Sequence, residues 1–357
     1  MALPIPLGPK APLRIGLVGL GYWGPNLARV LNGAQGCDLI GICDLSPSQL
    51  EKVGRHYPNL TRYANFEDLL ASDLDAVCIA TPISTHYDLA SRALAAGKHV
   101  FVEKPLAHTS AHARELVTMA RAKGLTLFTG HTFIYSPAVT KVKKLIDDGE
   151  LGDLHYISLS RVNLGLYQRD VDVVWDLAVH DISILLYWLG ESPIRGASFG
   201  RACVQDHKRD VAFLWFEFPS GIIASNEVSW ISPQKMRRTC VVGSRRMVVY
   251  DDTDTAEKVK IYDRGVDFKS PETFGEFQLS YRIGDMHAPY LGNSEPLVLE
   301  IEHFVNSIRT GKESTTSGEF GARVVEALEL VDRTSLGLSQ PPTRPDVTGR
   351  PALRASK

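Results

Sequence analysis

Two short segments of this 357-residue chain carry side chains whose types and spacing can do chemistry. Glu103-Lys104-Pro105 closes an apolar run, and Trp175-Asp176-Leu177-Ala178-Val179-His180-Asp181 opens an otherwise apolar helix. An imidazole is near neutral at working pH and can take a proton, and a carboxylate one helical turn away can orient it. A lysine ammonium can stabilise a developing alkoxide. With a hydride acceptor beside them, His180 as base, Lys104 as cation and Asp176 as orienter of base or substrate would suffice to oxidise a secondary alcohol. Three plainer readings stand beside this one. Glu103 and Lys104 can be a solvated turn. Asp176 can answer a helix dipole while His180 fills the core. The Asp176–His180 pair can also be half of a zinc site, although no HExxH or other clustered ligand accompanies it.

The hydride acceptor is indicated further upstream. Gly19-Leu20-Gly21-Tyr22-Trp23-Gly24 follows the apolar run Ile15-Gly16-Leu17-Val18 and precedes a helical pattern from Pro25. Strand, glycine turn and helix N-terminus form a pyrophosphate cradle, with free N–H groups and the positive dipole end turned to the phosphates. A second apolar run, residues 39–43, ends in Asp44, 25 residues after Gly19. A carboxylate there accepts from the adenosine ribose hydroxyls and repels the extra phosphate of NADP, so the expected cofactor is NAD.

These residues need a scaffold. Strand patterns at 14–18, 39–43, 76–80, 99–102 and 125–129 alternate with helical ones at 25–31, 47–56, 66–71, 85–96 and 110–123, and a weak further strand lies at 59–63. That alternation predicts an α/β doubly wound parallel sheet of the Rossmann type, whose ligands lie beyond the carboxyl ends of its strands. Ala80-Thr81-Pro82 is one such end, where Thr81 can reach the cofactor and Ser84 or Thr85 caps the next helix. His131, after Thr129-Gly130, is another and reads as a wall of the cleft.

After Tyr135-Ser136-Pro137 the pattern changes to a helix at 138–148 and half-polar strands at 154–162, 211–218, 222–230, 236–242, 247–250 and 258–262. Pro219-Ser220-Gly221 is a hairpin signal. With helices at 175–189, 295–309 and 320–337, this predicts a C-terminal α+β domain on a large open, mostly antiparallel sheet. The expected organisation is a flexible leader at 1–12, a cofactor domain at 13–133, a substrate and oligomerisation domain at 134–338, and an extended tail at 339–357. Arg161, Asn163, Tyr167 and Arg169 precede the Asp176 helix, and Lys235, Arg237 and Arg238 follow Ser232-Pro233. Guanidinium groups suit a diphosphate, although most surface arginines bind nothing in particular. His287 and Tyr290 fall in the loop before residue 295.

Composition bounds the rest. A net charge of −2 gives no electrostatic reason to expect nucleic acid or an anionic membrane, and no apolar run approaches the length needed to span a bilayer. The proline-rich start lacks the n-region and apolar stretch of a signal peptide. Five scattered cysteines without CxxC spacing indicate neither disulfides nor zinc, which fits a reducing cytoplasm.

Taken together, the 19–24 loop, Ala80-Thr81-Pro82 with His86, Ala96-Gly97-Lys98-His99-Val100, Glu103-Lys104-Pro105 and the spaced Asp176 and His180 resemble the Gfo/Idh/MocA oxidoreductases over roughly residues 13 to 335. The resemblance implies Lys104, Asp176 and His180 as the catalytic group, with Lys104 before a cis proline. It implies a cofactor site of Gly19, Gly21, Tyr22, Trp23, Gly24, Asp44, Thr81, Pro82, His86, Glu103, Lys104 and His131. Lys104, Asp176 and His180 would then meet the substrate together with Arg161, Asn163, Tyr167, Arg169, Lys235 and Arg237. It also implies a homodimer or homotetramer built through the outer face of the C-terminal sheet. Within the family, residues 21–26, 130–133 and 161–165 look most like dehydrogenases that oxidise the C3 hydroxyl of a UDP-N-acetylglucosamine-type sugar. Dehydrogenases or ketoreductases of antibiotic amino sugars and of inositol share the same catalytic parts. A non-catalytic NAD-binding sensor on this scaffold would be favoured by loss of Lys104 or His180, and both are present.

Overall fold

The computed structural model describes residues 11–168, 170–205, 207–268 and 279–334. The expected leader, except for residues 11 and 12, the expected tail and Arg169 lie outside the described residues.

Mostly apolar runs make strands that are buried on both faces, as a parallel sheet requires, except for the short edge strand at residues 61–63, which is largely exposed. These are β1 (Leu13–Val18), β2 (Cys37–Cys43), β3 (Thr61–Tyr63), β4 (Ala76–Ile79), β5 (His99–Glu103) and β6 (Leu127–Gly130). They pair in parallel in the order β3-β2-β1-β4-β5-β6. The intervening helices are α1 (Gly24–Gly33), α2 (Pro47–Gly54), α3 (Phe66–Leu70), α4 (His86–Ala95) and α5 (Ser110–Ala122). The strand order reverses between β1 and β4, which opens a crevice beyond their carboxyl ends. Cys43 and Cys78 are buried thiols of this core, and burial pushes the Cys43 thiol up to about 11.

The second sheet has eight strands and follows α6 (Pro137–Asp147). In chain order they are β7 (Leu154–Leu164), β8 (Arg195–Arg201), β9 (Val211–Glu217), β10 (Ile223–Ser229), β11 (Ile231–Gly243), β12 (Met247–Asp251), β13 (Val259–Phe268) and β14 (Leu279–His287). The spatial order is β14-β13-β12-β11-β7-β10-β9-β8, antiparallel except where β10 runs parallel to β7. The mostly antiparallel expectation therefore holds. Between β7 and β8 lies α7 (Val179–Leu189), ended by Gly190 at φ +72°. The strand β8 escaped sequence reading because Gly196 and Gly200 weaken its pattern, and β14 because both of its faces are largely exposed.

One face of this sheet is covered by helices. On the other, Tyr156, Phe199, Phe213, Trp215 and Ile223 stand exposed, Phe213 at 50% and Trp215 at 45%. That alternation along β9, with Ala212, Leu214 and Phe216 buried between them, leaves a row of exposed apolar side chains across β7 to β10.

The last helices, α8 (Pro296–Thr310) and α9 (Gly318–Arg333), return to the first sheet. Arg29 of α1 pairs with Glu295, Arg114 of α5 with Glu319 and Glu326, and Ser110 donates to Glu329. Thr129 N–H donates to the Thr316 carbonyl at 2.8 Å. These contacts fix the two sheets relative to one another and hold the cleft between them.

Candidate active site

Gly19 has φ +92°, and a Cβ there would lie 2.6 Å from the Ala80 backbone, so β1 can turn this close to β4 only with glycine. A Cβ on Gly24 would fall 2.1 Å from the Gly19 carbonyl oxygen, which is how tightly α1 begins on the loop. Around Gly21 nothing lies within 4 Å, leaving room for a phosphate in front of an α1 N-terminus that no side chain caps. Asp44 accepts from Leu20 N–H at 2.7 Å and from Ser46 N–H at 2.8 Å. Each carboxylate oxygen keeps a lone pair for a ribose hydroxyl. Tyr22 stands 83% exposed at the mouth, while Trp23 turns inward. The loop, the open space and the carboxylate fit a dinucleotide.

The Thr81-Pro82 turn differs from expectation. Thr85 donates to Thr81 Oγ1 and to the Pro82 carbonyl, and no side chain caps α4, because a 3₁₀ turn over Ile83–Thr85 precedes it. His86 is buried, with Nδ1 2.8 Å from the Pro105 carbonyl and Nε2 2.9 Å from the Thr81 carbonyl. Both ring nitrogens are therefore engaged by backbone. His86, 1% exposed, ties the β4 and β5 exit turns together.

Lys104 follows β5 and precedes Pro105 through a cis peptide bond. Its Nζ lies 3.2 Å from the Asp176 carbonyl and 3.5 Å from Asp176 Oδ1. Asp176 sits in a π-helical turn, Val174–Ala178, where one continuous helix was expected. The Asp172 carboxylate accepts from the N–H groups of Val174 and Trp175 at the start of that turn, and Arg209 holds Asp172. Such turns widen the helix where function needs a displaced side chain. The Asp176 carboxylate does not orient His180: it meets Lys104 through one oxygen and the Trp230 indole N–H, at 3.0 Å, through the other. Trp230 was not singled out from sequence, since a lone tryptophan at a strand end gives no motif.

His180 is half-buried, its enclosed Nδ1 makes no hydrogen bond, and its ring meets Phe133 edge-on at 4.9 Å. Burial, reinforced by the positive charges of Lys104, Arg161 and Arg237, pushes its pKa well below the ordinary 6.5. Both effects favour the neutral imidazole, the form that can take a proton. His131 is buried against Phe320, with neither ring nitrogen bonded, and burial lowers it to about 3.

Behind Lys104 lies a pair of carboxyls. Glu103 is buried, accepts from Lys104 N–H at 3.3 Å, and is raised to about 7 by burial, against the lowering effects of Lys104 and the nearby Trp23 indole. Glu300 of α8 accepts from the Thr132 hydroxyl at 2.7 Å and is pushed well above 4.5 by burial and by the Glu103 charge. A carboxyl whose folded pKa exceeds its unfolded value stabilises the fold at low pH and loses that contribution as pH rises. Glu300→Gln keeps the acceptor for Thr132 and removes the charge. Its melting temperature should exceed that of the parent at about pH 8 and match it near pH 5. Scanning fluorimetry at both values measures this, and a gap that widens toward acid would contradict it.

The expected substrate cations are differently engaged. Arg161 is buried, bonds Asp181 at 2.6 and 2.9 Å, and lies over the Phe133 ring at 4.5 Å. A guanidinium so enclosed cannot also clamp a diphosphate. Arg237 pairs with Asp252 at 3.1 Å and lies 5.4 Å from the same ring. Tyr167 donates to Asp210 and packs on Trp230, Asn163 Oδ1 is buried and unbonded, and Lys235 is exposed on β11. His287 belongs to β14, paired with Ile261, and not to a loop, while Tyr290 is 90% exposed. Among the described residues no three His, Cys, Asp or Glu side chains are grouped to hold a metal ion.

A family model described as an oxidoreductase family with an NAD-binding Rossmann fold matches residues 13–131, and the model of the GFO/IDH/MocA C-terminal domain matches residues 139–249. The chain belongs to the Gfo/Idh/MocA family. As a member of that family it is an NAD-dependent oxidoreductase. It is 28% identical over 321 residues to the UDP-N-acetylglucosamine 3-dehydrogenase of Acidithiobacillus ferrooxidans, covering 88% of this chain and 95% of the relative. A crystal structure of that enzyme superposes with a TM-score of 0.78 at 26% identity, over 91% of this chain and 98% of the other. The scyllo-inositol 2-dehydrogenase (NAD(+)) of Bacillus subtilis is 25% identical over 311 residues, 84% of this chain and 86% of its own. The structure of GenD2 from gentamicin A biosynthesis, in complex with NAD, shares the fold at a TM-score of 0.77 and 24% identity, over 94% and 97% of the two chains. Among the described residues no helix is long and apolar enough to cross a membrane.

Proposed function

We propose that this Gfo/Idh/MocA protein oxidises a secondary ring hydroxyl of a sugar, and that the sugar is a UDP-N-acetylglucosamine-type nucleotide sugar oxidised at C3. The observation that carries the reaction is the juxtaposition of Lys104, held on Asp176, with a half-buried His180 whose Nδ1 is unbonded and whose surroundings favour the neutral form. NAD, when bound, supplies the acceptor for the hydride. The chain's own residues do the rest. The hydroxyl proton passes to the His180 imidazole as the C–H bond breaks, and the Lys104 ammonium stabilises charge on the alkoxide oxygen. Asp176, with one oxygen held by Trp230, keeps Lys104 in place and can accept from a neighbouring substrate hydroxyl.

The nucleotide-sugar choice rests on the likeness to the Acidithiobacillus enzyme along nearly its whole length. The enclosure of Arg161 by Asp181 and the Phe133 ring favours a second reading, a free polyol or unphosphorylated amino sugar, because that guanidinium does not stand open for a diphosphate. One experiment separates them. The protein with NAD is presented with nucleotide sugars, free sugars and inositols, and both the rise in melting temperature and the appearance of reduced-nicotinamide absorbance are followed. Turnover with UDP-sugars alone supports the first reading, and turnover with inositols alone the second.

Cofactor choice is tested at Asp44. Asp44→Ala should raise kcat/KM with NADP relative to NAD by about 10-fold or more, since removing a repelled charge and a bidentate ribose partner is worth at least ~1.4 kcal/mol. An unchanged ratio would mean that another group reads the ribose. The outer face of the second sheet, with Phe213 and Trp215 exposed, is the surface through which two or four copies would join. Sedimentation velocity should show a homodimer or homotetramer that Trp215→Glu dissociates.

A further inference from the structure

Trp230 lies one residue beyond β10 and is 1% exposed. Its backbone is held on both sides: its N–H donates to the Asp210 carbonyl at 2.8 Å, and its carbonyl accepts from Gly165 N–H at 2.9 Å. The indole is held as well. A Cβ on Gly165 would come within 2.8 Å of Trp230 Cδ1, so the glycine leaves the space that the ring edge needs, and the Tyr167 ring packs at 5.0 Å. An indole so enclosed has one polar atom and one direction in which to point it. That direction is Asp176 Oδ2, at 3.0 Å.

The consequence falls on the other oxygen. A carboxylate turns easily about its last torsion, and its two oxygens are then interchangeable. With Oδ2 bonded to a fixed donor, Oδ1 alone faces Lys104, at 3.5 Å, while the Lys104 ammonium also reaches the Asp176 carbonyl at 3.2 Å. The π-helical turn carries Asp176 to this point, and the indole fixes the carboxylate once it is there. We propose that Trp230 is a positioning residue for the dehydrogenase: it locks the Asp176 carboxylate so that a single oxygen is presented to Lys104 and to the substrate hydroxyl. The proposal rests on the reading of Lys104, Asp176 and His180 as the reacting group. It predicts an effect on turnover and not on cofactor binding, because the hydrogen bonds of Trp230 go to Asp210, Gly165 and Asp176 and none to the glycine loop.

The test uses a signal that activity does not control. The chain has five tryptophans, so protein labelled with ¹⁵N-tryptophan gives at most five indole N–H resonances, and the one missing from Trp230→Phe belongs to Trp230. In the parent it should lie far downfield and exchange slowly, and in Asp176→Leu it should move upfield and exchange faster. A Trp230 resonance that Asp176→Leu leaves in place overturns the proposal. In kinetics, Trp230→Phe should lower kcat by about 10-fold with the KM for NAD unchanged, the loss expected for one hydrogen bond to a charged group. Trp230→Phe should then cost nothing further in an Asp176→Leu background. An equal loss in both backgrounds would show that the indole matters only as packing. Should Trp230→Phe fail to fold, specific fluorination of the tryptophans still resolves the indoles in the parent and in Asp176→Leu. If no sugar is turned over by the parent, the assignment of the reaction fails, while the indole resonance still decides whether Trp230 holds Asp176.

Discussion

Lys104→Ala should leave the protein folded and able to bind NAD but reduce turnover of the cognate sugar by about 10²–10³-fold, the range seen when one electrostatic donor to a developing oxyanion is removed. The expectation follows from the position of Nζ, on the carboxyl-end rim of β5 and bonded to both oxygen types of Asp176. Truncation at this rim opens no hydrophobic cavity, so melting temperature should change little. The change leaves the 19–24 loop and Asp44, the proposed NAD site, untouched. Stopped-flow turnover and NAD titration by protein fluorescence separate the two effects. Activity within 10-fold of the parent would remove Lys104 from the mechanism.

The second large effect is expected at His180. His180→Asn should lower kcat by about 10²–10⁴-fold, the contribution of a positioned general base. The pH profile gives a sharper test than the loss itself. Burial and the charges of Lys104, Arg161 and Arg237 depress the pKa of this imidazole, so it protonates only at a pH well under 6.5. The parent's kcat/KM for the sugar should therefore stay level as pH falls through 6.5 and decline only below it. Arg237→Gln removes one of those charges and should move the decline toward neutral pH. A parent profile that already falls at an ordinary histidine pKa would contradict the half-buried, cation-flanked setting. The same setting carries a stability consequence: a histidine held neutral by the fold favours unfolding once the solution is acid enough to protonate the unfolded chain. Stability should thus decrease as pH falls from 6.5 toward the folded pKa values of His180 and of His131, the latter about 3.

What could be read from the sequence was local. The alternation of apolar strands with amphipathic helices is a property of neighbouring residues, and it yielded the six parallel strands in their correct type, including the weak β3. Gly19 and Gly24 were legible because a tight turn forbids a side chain whatever surrounds it. Asp44 was legible because it ends a strand whose carboxyl edge must face the ligand. The mostly antiparallel second sheet followed from consecutive half-polar runs and the 219–221 hairpin, and β8 and β14 were lost where glycine or two-sided exposure erased the period.

Partnerships across the chain were not legible, since pattern says which face a residue occupies but not which distant residue meets it. Arg161 looked open to an anion, and only the packing of β7 on α7 gave it to Asp181. His86 became a brace between two turns, because both of its ring nitrogens met backbone carbonyls. Glu103 acquired a second carboxyl, Glu300, from a helix nearly two hundred residues later. The four-residue spacing let Asp176 be read as an orienter of His180 or of the substrate. The π-helical turn and the fixed indole of Trp230 directed it to Lys104 instead. Sequence alone determined that this chain has a dinucleotide crevice and carries a lysine, a carboxylate and an imidazole suited to dehydrogenation. Tertiary structure decided which of them touch, because burial and long-range pairing set the charge and direction of each group.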